Sequence, residues 1–387
     1  MAPEPYRRRL ALLRQAMHEA DVGAYLCDHA EMLQWLTGYT VSDTFYRGCV
    51  VPLEGEPVWV LRRIDEMPCK AATWLSDIRP YADDANAYDH MAYALKETGA
   101  TRVGADFNSY GFTVHAWHSL SRRLPDVEFV DIAGSANLLR AVKDETELGK
   151  LAQACRIADG AMAAVAQGIG VGMRPRDASA IASNHYLTNG SDDYWVGPVS
   201  ISRRAAQGGH DMGFLHTMLR DDRLADGDIL HVELVPRVGG YSARIMRSIS
   251  VGAPDPQMIA VMARLCALQD AQFAAMRPEV VARDVDAILR ARLLEEGLRS
   301  DFPNITGYQL GVYAKTPRSS DASLSFHPAA DWRLQAGQVF HMYATAQGLA
   351  LSETVVVTPE GARRMTATPR RILTAAQHFR NETGEMA

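Results

Sequence analysis

The chain has 387 residues, with 40 Lys and Arg against 46 Asp and Glu, and a net charge of -6. A hydrophobic fraction of 47% and a charged fraction of 22% are ordinary for a globular protein, which excludes disorder as the main state. The acidic balance argues against a nucleic-acid partner, and no apolar run reaches the ~18 residues of a membrane span. Because the N-terminus lacks a signal-peptide pattern and five dispersed cysteines form no CxxC pair, we expect a cytoplasmic protein with reduced thiols.

The first third of the chain alternates short β-type runs with helical patterns. The predicted elements are a helix over 6–20, strands over 24–28, 48–53 and 57–62, a helix near 86–98, and strands over 101–106 and 127–132. Such alternation predicts a small α/β domain over residues 1–140. We place the boundary near 136–146, because a long helical stripe with carboxylates in its first turn begins there.

The rest of the chain, residues 141–387, mixes helices with longer strands. The predicted helices cover 145–167, 175–188, 256–275 and 281–297, and the predicted strands cover 228–236, 240–251, 337–344 and 350–358. These strands alternate apolar and polar residues, as strands of a half-exposed antiparallel sheet do. The pattern predicts an α+β domain whose antiparallel sheet has helices on one face.

Three of these strands each carry polar side chains on one face, because residues two apart on a strand point the same way. His231 shares a face with Glu233, His341 shares one with Tyr343, and Arg244 shares one with Met246 and Ser248. A polar face on a helix-backed sheet is either solvated or part of a cleft. Taken singly, each residue also fits an ordinary structural role, such as an ion pair or a satisfied buried group. The same holds for His216 in the apolar segment GFLHTML.

Six segments, in this order and spacing, resemble the creatinase and aminopeptidase P family. They are RLALLRQAMHEADVGAYLCDHAEMLQWLTGY, VKDETELGKLAQACRIAD, GDILHVELVPRVGGYSARIMRSISVG, ITGYQLGVY, LQAGQVFHMY and LALSETVVVTPEGARRMT. The resemblance implies a creatinase-type N-terminal domain followed by a pita-bread catalytic domain, a curved antiparallel sheet backed by helices. It also implies a homodimer.

The metallopeptidases of this family hold two metal ions with two Asp, one His and two Glu. The resemblance places those positions at Glu233, Arg244, Tyr308, Tyr343 and Ser352, with Glu353 adjacent to the last. Hard divalent cations need several carboxylate oxygens. An Arg beside a dication, at ~4 Å and an effective dielectric of ~20, adds several kcal/mol of repulsion. We therefore predict neither a dinuclear metal site nor another cofactor.

This substitution pattern resembles the metal-free branch of the family, which contains creatinase and ectoine hydrolase. The HVELV string, the VFH string, the SET segment and GYQLGVYAKTP are closest to ectoine-hydrolase-type sequences. The segment Gly240–Ser242 reads GYS where the family has RYH, which leaves the substrate open. The resemblance thus implies a metal-independent hydrolase of a non-peptide C–N bond in a small polar metabolite, such as a cyclic amidine, an amidino or an N-acyl group.

The resemblance also implies roles for the candidate residues. Glu233 is the general base or the nucleophile, and His216, twelve residues before Asp228, matches the active-site His that transfers protons in creatinase. The groups expected to stabilise developing charge are His341, Tyr343 and Tyr308. The groups expected to bind substrate are Arg244, His231, Ser352 and Glu353. In creatinase-like dimers the N-terminal domain of one subunit covers the site of the other, so Phe45, Tyr46 and Arg47 are further binding candidates.

Three other interpretations remain open from the sequence. One is a metallopeptidase of the Xaa-Pro type, with a mononuclear site built from His216, His231, Glu233 and His341. The second is a catalytically inactive pita-bread module that binds a partner in the same cleft, although such a module has no need of His216 with Glu233. The third is lyase or dehydratase chemistry in that cleft.

Overall fold

The computed structural model describes residues 3–40, 45–132, 138–203, 219, 221–313 and 323–376. It divides into two compact units. The first unit comprises Met1–Ala141 and Val312–Ser323, and the second comprises Val142–Gly311 and Leu324–Ala387. None of the helices in the described ranges combines the length and the apolar composition needed to span a bilayer.

The first unit is an α/β sandwich, as predicted. Its elements are α1 (Glu4–Glu19), β1 (Ala24–Cys27), α2 (Ala30–Thr37), β2 (Gly48–Pro52), β3 (Val58–Arg62), α3 (Glu66–Ala72), β4 (Ile78–Tyr81), α4 (Ala87–Glu97), β5 (Arg102–Ala105), α5 (Val114–Arg123) and β6 (Glu128–Asp131). In the described residues the sheet order is β4-β3-β2-β1-β5-β6. β1, β5 and β6 run parallel, whereas β2 is antiparallel to β1 and β3. Separate apolar clusters cover the two faces, which explains why β1 is buried throughout.

The second unit begins with two long helices. Its elements are α6 (Glu145–Gly168), α7 (Pro175–Thr188), β7 (Val199–Ser202), β8 (Ile229–Leu234), β9 (Arg237–Val238), β10 (Tyr241–Ser242), β11 (Ile245–Ser250), α8 (Pro256–Ala275), α9 (Ala282–Glu295), β12 (Gly307–Gln309), β13 (Ser325–Phe326), β14 (Val339–Ala346), β15 (Leu349–Thr358), β16 (Gly361–Arg364) and β17 (Leu373–Thr374). Asp144 caps α6 in a capping box with Glu147, so the predicted acidic start of this helix is confirmed.

The strands of the second unit form two main sheets in the described residues. Their orders are β17-β11-β8-β7 and β13-β12-β14-β15-β16. Most pairs are antiparallel as predicted, although β17 runs parallel to β11. The predicted half-exposed sheet is wrong, because β8, β11 and β14 are buried along their whole length. Side-chain hydrogen bonds connect the sheets: Ser248 Oγ accepts from Ala350 N at 3.0 Å, Thr354 Oγ1 accepts from Arg244 N at 2.9 Å, and Arg247 Nη1 donates to Ser352 O at 2.7 Å. These links bring β11 and β15 side by side.

The predicted continuous strand over 240–251 is wrong, because the chain divides it into β10 and β11. Gly239 and Gly240 adopt positive φ values of 55° and 82°, which closes a tight turn between β9 and β10. The backbone N–H of Ser242 then donates to Gly311 and that of Arg244 to the Thr354 hydroxyl, instead of to one neighbouring strand. The break places Arg244 just before β11, where its side chain can turn towards β8.

Candidate active site

The register of the strands assembles most of the predicted site residues on one side of the two sheets. On β8, Glu233 pairs with Met246 of β11, and His231 pairs with Ser248. On β14, His341 pairs with Tyr308 of β12, while Tyr343 pairs with Ser352 of β15. Directly paired residues project to the same face of a sheet. The faces predicted for His231 with Glu233 and for His341 with Tyr343 are therefore present in the structure, whereas Arg244 lies before β11 and outside its register.

A buried ion pair between Glu233 and Arg244 lies at the centre of this group. The Arg244 Nε donates to Glu233 Oε1, and the Nη1 donates to the Tyr308 hydroxyl. Glu233 is 1% exposed and Arg244 is 8% exposed. Because a buried charge is costly unless it is paired and hydrogen-bonded, the two groups hold each other in place. The geometry gives the site one fixed negative and one fixed positive charge in contact.

Three neighbouring aromatic rings extend from this ion pair, beginning with Tyr308, over whose ring the Arg244 guanidinium lies. The Tyr308 and His341 ring centroids are 5.1 Å apart in an edge-on arrangement, and those of His341 and Tyr343 are 5.3 Å apart and stacked. Burial, and secondarily the positive charge of Arg244, hold the pKa of His341 well below its usual range. His341 is therefore a neutral imidazole. It can accept a hydrogen bond at one ring nitrogen and donate at the other.

Two buried polar side chains of this side have no hydrogen-bond partner in the part of the chain that the structure describes. Among the described residues, neither ring nitrogen of His341 has a hydrogen-bond partner, nor has the hydroxyl of Ser352. His341 is 1% exposed and Ser352 is fully buried. Unpaired buried polar atoms are costly, and in native proteins they mark places where a ligand or bound water supplies the missing bonds. The arrangement is thus suited to a small polar ligand.

The phenol of Tyr343 belongs to a second network. Its oxygen accepts from Asn304 Nδ2 at 3.4 Å, and Arg299 Nη1 donates to Asn304 Oδ1 at 3.0 Å. Burial raises the pKa of Tyr343, an effect opposed by the Asn304 hydrogen bond. The phenol is therefore protonated near neutral pH and available as a donor.

Glu353 does not join this group. It follows Ser352 by one residue, so its side chain projects to the opposite face of β15. There it pairs with Arg247 at 2.8 Å in a fully buried contact, and its other oxygen accepts from Thr366. Of the two neighbouring candidates, the structure thus brings Ser352 to the site face and gives Glu353 a place in the interior.

Of the remaining candidates, His231 lies on the face of Glu233, and the others belong to the first unit or lie outside the described residues. His231 is fully buried beside Glu233, in register with Ser200 and Ser248. Phe45, Tyr46 and Arg47 belong to the first unit, and His216 lies outside the described residues.

In the first unit, each of these side chains has a local contact. Phe45 lies under the Arg62 guanidinium, and Arg47 Nε donates to Thr40 O at 3.2 Å. The Tyr46 hydroxyl donates to Asp28 Oδ2 at 3.0 Å. Burial raises the pKa of Asp28 to about 7. These contacts hold the segment 45–47 against its own unit.

Sequence reasoning missed four residues around the site. Thr354, two residues beyond Ser352, was accessible from alternation, because it shares that face of β15. Asn304 and Arg299 lie in an irregular segment without periodicity, and nothing in the sequence singled them out. Gly197 packs so closely on β8 that an added Cβ would lie 2.8 Å from the carbonyl oxygen of Glu233.

The donor set does not fit a two-metal centre. Within the described ranges, no group of three or more His, Cys, Asp or Glu side chains is placed to hold a metal ion. More directly, the carboxylate of Glu233 is engaged by the guanidinium of Arg244, which offers donors and a positive charge. Tyr308, Tyr343 and Ser352 supply neutral hydroxyls in place of further carboxylates. A hard dication would find one carboxylate and one repelling cation here.

Comparisons with known proteins match this architecture. The protein-family model of the creatinase/prolidase N-terminal domain matches residues 9–142 of the sequence. Among relatives, the chain is 24% identical over 391 residues to a protein named ectoine hydrolase from Halomonas elongata, covering 95% of this chain and 97% of that one. It is 26% identical over 252 residues to a Xaa-Pro dipeptidase from Pyrococcus furiosus, covering 64% and 69%.

Solved structures agree on the fold. A Xaa-Pro dipeptidase from Bacillus anthracis superimposes with a TM-score of 0.81 at 18% identity, covering 95% of this chain and 99% of that one. The expected N-terminal domain followed by a pita-bread catalytic domain is thereby confirmed. The model of the metallopeptidase family M24 matches residues 149–359, more than half of the chain. This chain is therefore a member of the metallopeptidase family M24, and it carries that family's creatinase-type N-terminal domain.

Proposed function

We propose that this hydrolase acts without a metal ion on a non-peptide C–N bond in a small polar metabolite. The observation that carries the proposal is the buried ion pair of Glu233 with Arg244, whose guanidinium also donates to Tyr308. In this position a guanidinium provides charge recognition, and the neighbouring carboxylate provides a base for water. The relative named ectoine hydrolase supports this choice of bond.

The charges of the site favour a zwitterionic substrate. Glu233 and Arg244 are opposite charges in contact, His341 is neutral, and Tyr343 is protonated. A free anion or a free cation would leave one charge of the pair uncompensated in a buried place. A small molecule with a carboxylate near a cationic C–N group compensates both. We therefore place cyclic amidine carboxylates and amidino acids before neutral amides.

The substrate carboxylate would release the catalytic base. Arg244 binds a carboxylate through paired N–H donors, so a bound substrate competes with Glu233 for the guanidinium. Once released, Glu233 accepts a proton from water as that water attacks the carbon of the C–N bond. The C–O bond forms, the C–N bond breaks, and the proton passes to the leaving nitrogen. The family resemblance assigns that transfer to His216.

The phenols and the imidazole would stabilise the tetrahedral intermediate. Tyr308 and Tyr343 have hydroxyl donors on the site face, and His341 has an unpartnered ring N–H among the described residues. Donors fixed in a buried site stabilise developing negative charge without reorganisation. Ser352, beside Tyr343, would bind a polar substituent of the substrate.

A second candidate is a metallopeptidase of the Xaa-Pro type. It is favoured by relatives whose printed names are Xaa-Pro dipeptidases. Metal analysis of the purified protein, before and after a chelator, separates the two candidates. Stoichiometric Mn, Co, Zn or Fe whose removal abolishes activity would overturn metal-independent hydrolysis. Unchanged turnover after chelation would exclude the metallopeptidase.

The substrate test compares zwitterionic cyclic amidines, amidino acids and N-acyl amino acids with Xaa-Pro dipeptides. We expect faster turnover of the cyclic amidines and amidino acids than of the N-acyl amino acids, and a loss of at least ~100-fold in kcat for Glu233→Gln, because a general base contributes that much. Glu295→Gln, an exposed carboxylate on α9, is the matched control and should retain full activity. Retained activity in Glu233→Gln would refute the assignment of the base.

The family resemblance further suggests a cytoplasmic homodimer, which we include in the proposal. In such a dimer, Phe45, Tyr46 and Arg47 of one subunit would help to cover the partner's site. Light scattering on the purified chain tests the assembly. A monomer that retains full activity would remove this part of the proposal.

A further inference from the structure

The amide of Asn304 lies between a guanidinium and a phenol. Arg299 Nη1 donates to Asn304 Oδ1 at 3.0 Å, and the same nitrogen donates to Thr345 Oγ1 at 3.1 Å. On its other side, Asn304 Nδ2 donates to the Tyr343 oxygen at 3.4 Å and to Ile305 O at 3.0 Å. Arg299 is thus connected to Tyr343 through a single amide.

The direction of these hydrogen bonds is fixed by chemistry. A guanidinium has donors and no acceptor, so the amide oxygen of Asn304 must face Arg299. The amide nitrogen then faces Tyr343, and its two hydrogens go to Tyr343 and Ile305. The phenol oxygen is consequently an acceptor in this contact. Its own proton must be donated elsewhere, and among the described residues the Tyr343 hydroxyl has no other hydrogen-bond partner.

The backbone that carries Asn304 is itself held in place. Arg290 donates to Phe302 O at 2.6 Å and to Asn304 O at 2.9 Å, and it pairs with Asp286. Thr306 then accepts a hydrogen bond from the backbone of Tyr343 at 3.0 Å. The amide is therefore positioned relative to β14 by backbone contacts on both sides, which pre-organises the arrangement.

We propose that Arg299 and Asn304 are positioning residues that orient the hydroxyl of Tyr343 as a hydrogen-bond donor towards the substrate. The inference rests on the proposed function, because it assumes that negative charge develops next to Tyr343 during C–N hydrolysis. A donor with a fixed direction is worth more there than a freely rotating one, since no reorganisation is needed when the charge appears. Arg299, at the positive end of the hydrogen-bond chain from Arg299 through Asn304 to Tyr343, increases the polarity of the phenol O–H bond.

Among the described residues, the charged and titratable groups around Tyr343 are Arg244, Glu233, Arg299 and the edge-on phenol of Tyr308, with the neutral His341 stacked on its ring. Arg244 and Arg299 favour the phenolate, whereas Glu233 disfavours it. Removing either the amide donor or the Arg299 charge therefore shifts the acidity of the phenol in one direction, towards a weaker acid.

The test uses the full chain with 3-fluorotyrosine incorporated at position 343 and follows its ¹⁹F resonance as a function of pH. In Asn304→Ala and Arg299→Met we expect the midpoint to move upward by about one pH unit, because a donor to the charged form is lost. Arg292→Met, an exposed arginine paired with Glu295 on α9, is the control and should leave the midpoint unchanged. Asn304→Asp, a near-isosteric change, should move the midpoint further upward. This variant replaces Asn304→Ala in the test if Asn304→Ala does not fold.

Unchanged or lower midpoints in folded Asn304 and Arg299 variants would overturn the inference. A kinetic measurement adds a second readout once a substrate is known: Asn304→Ala should lower kcat more than it raises KM, and should cost nothing further in a Tyr343→Phe background. The ¹⁹F midpoint needs no turnover. If the midpoint moves and no C–N substrate is hydrolysed, the proposed function fails while the donor assignment stands.

Discussion

The buried pair of Arg247 and Glu353 offers a stability prediction that separates structural from catalytic carboxylates. Both side chains are fully buried, and Arg247 also donates to the carbonyls of Met246, Ser352, Pro369 and Thr368 at 2.7–2.9 Å. Replacing Arg247 with Met keeps most of the volume but leaves the Glu353 charge without its closest partner. Breaking such a pair costs about 3–5 kcal/mol. We therefore expect Arg247→Met to lose about 4 kcal/mol of unfolding free energy.

This loss converts to a melting temperature through the size of the second unit. That unit has about 230 residues, which corresponds to an unfolding entropy of about 0.5 kcal/mol/K. A loss of about 4 kcal/mol thus lowers the midpoint by about 8 °C in differential scanning calorimetry. The exposed control Arg292→Met should stay within about 0.5 kcal/mol of the parent.

A double-mutant cycle tests the cause of the loss. Glu353→Gln alone leaves the Arg247 charge buried, so the double variant should cost at least ~2 kcal/mol less than the sum of the single variants. An additive cycle, or an Arg247→Met variant as stable as its control, would refute this account of the pair. A folded Glu353→Gln protein that is stable but inactive would instead return Glu353 to the site.

Three further predictions concern single buried positions. The low pKa of His341 means that only the unfolded chain takes up a proton at this residue below pH 6.5, so the stability of the fold decreases as the pH drops below this value. His341→Phe should therefore weaken the pH dependence of the unfolding free energy, measured by urea unfolding at several pH values. The pKa of Asp28 is about 7 in the folded chain against the ordinary 3.8, so the folded chain retains a proton that the unfolded chain loses. The stability of the fold therefore decreases as the pH rises from the lower to the higher of these values. Asp28→Asn should therefore gain up to ~4 kcal/mol on the parent at neutral pH, and an equal gain at about pH 4 would contradict this. Gly197→Ala should cost about 1–3 kcal/mol and lower kcat by displacing Glu233, whose carbonyl oxygen would lie 2.8 Å from the new Cβ; full activity in a folded variant would contradict the close packing.

Periodicity predicted the α/β and α+β classes of the two domains and two shared faces of the site, because these depend on the spacing of side chains along single elements, whereas the pita-bread fold was implied by the family resemblance. Glu233 with His231, and His341 with Tyr343, needed no knowledge of pairing. The choice between Ser352 and Glu353 did need it, since a shift of one residue exchanges the two faces of β15. Only the register with Tyr343 decides this choice.

Contacts between segments that are distant in the chain could not be predicted from the sequence. The Arg244 side chain reaches Glu233 because hydrogen bonds from backbone N–H groups to Gly311 and Thr354 interrupt the strand before β11. No local sequence pattern predicts that interruption. Asn304 gains its place from Arg290 and Arg299 in an irregular stretch that lacks any period. Both cases depend on hydrogen bonds between residues far apart in the chain, and the periodicity of a single strand does not predict such bonds.

The two faces of β15 also bear on how such a protein can change its chemistry. One face carries Ser352 and Thr354 towards the site, and the other carries Glu353 into the buried pair with Arg247. A substitution of Ser352 alters what the site binds and leaves the interior pair untouched, whereas Thr354 also connects β15 to Arg244. The side chain at position 352 can therefore change without loss of the buried pair that anchors the other face of β15.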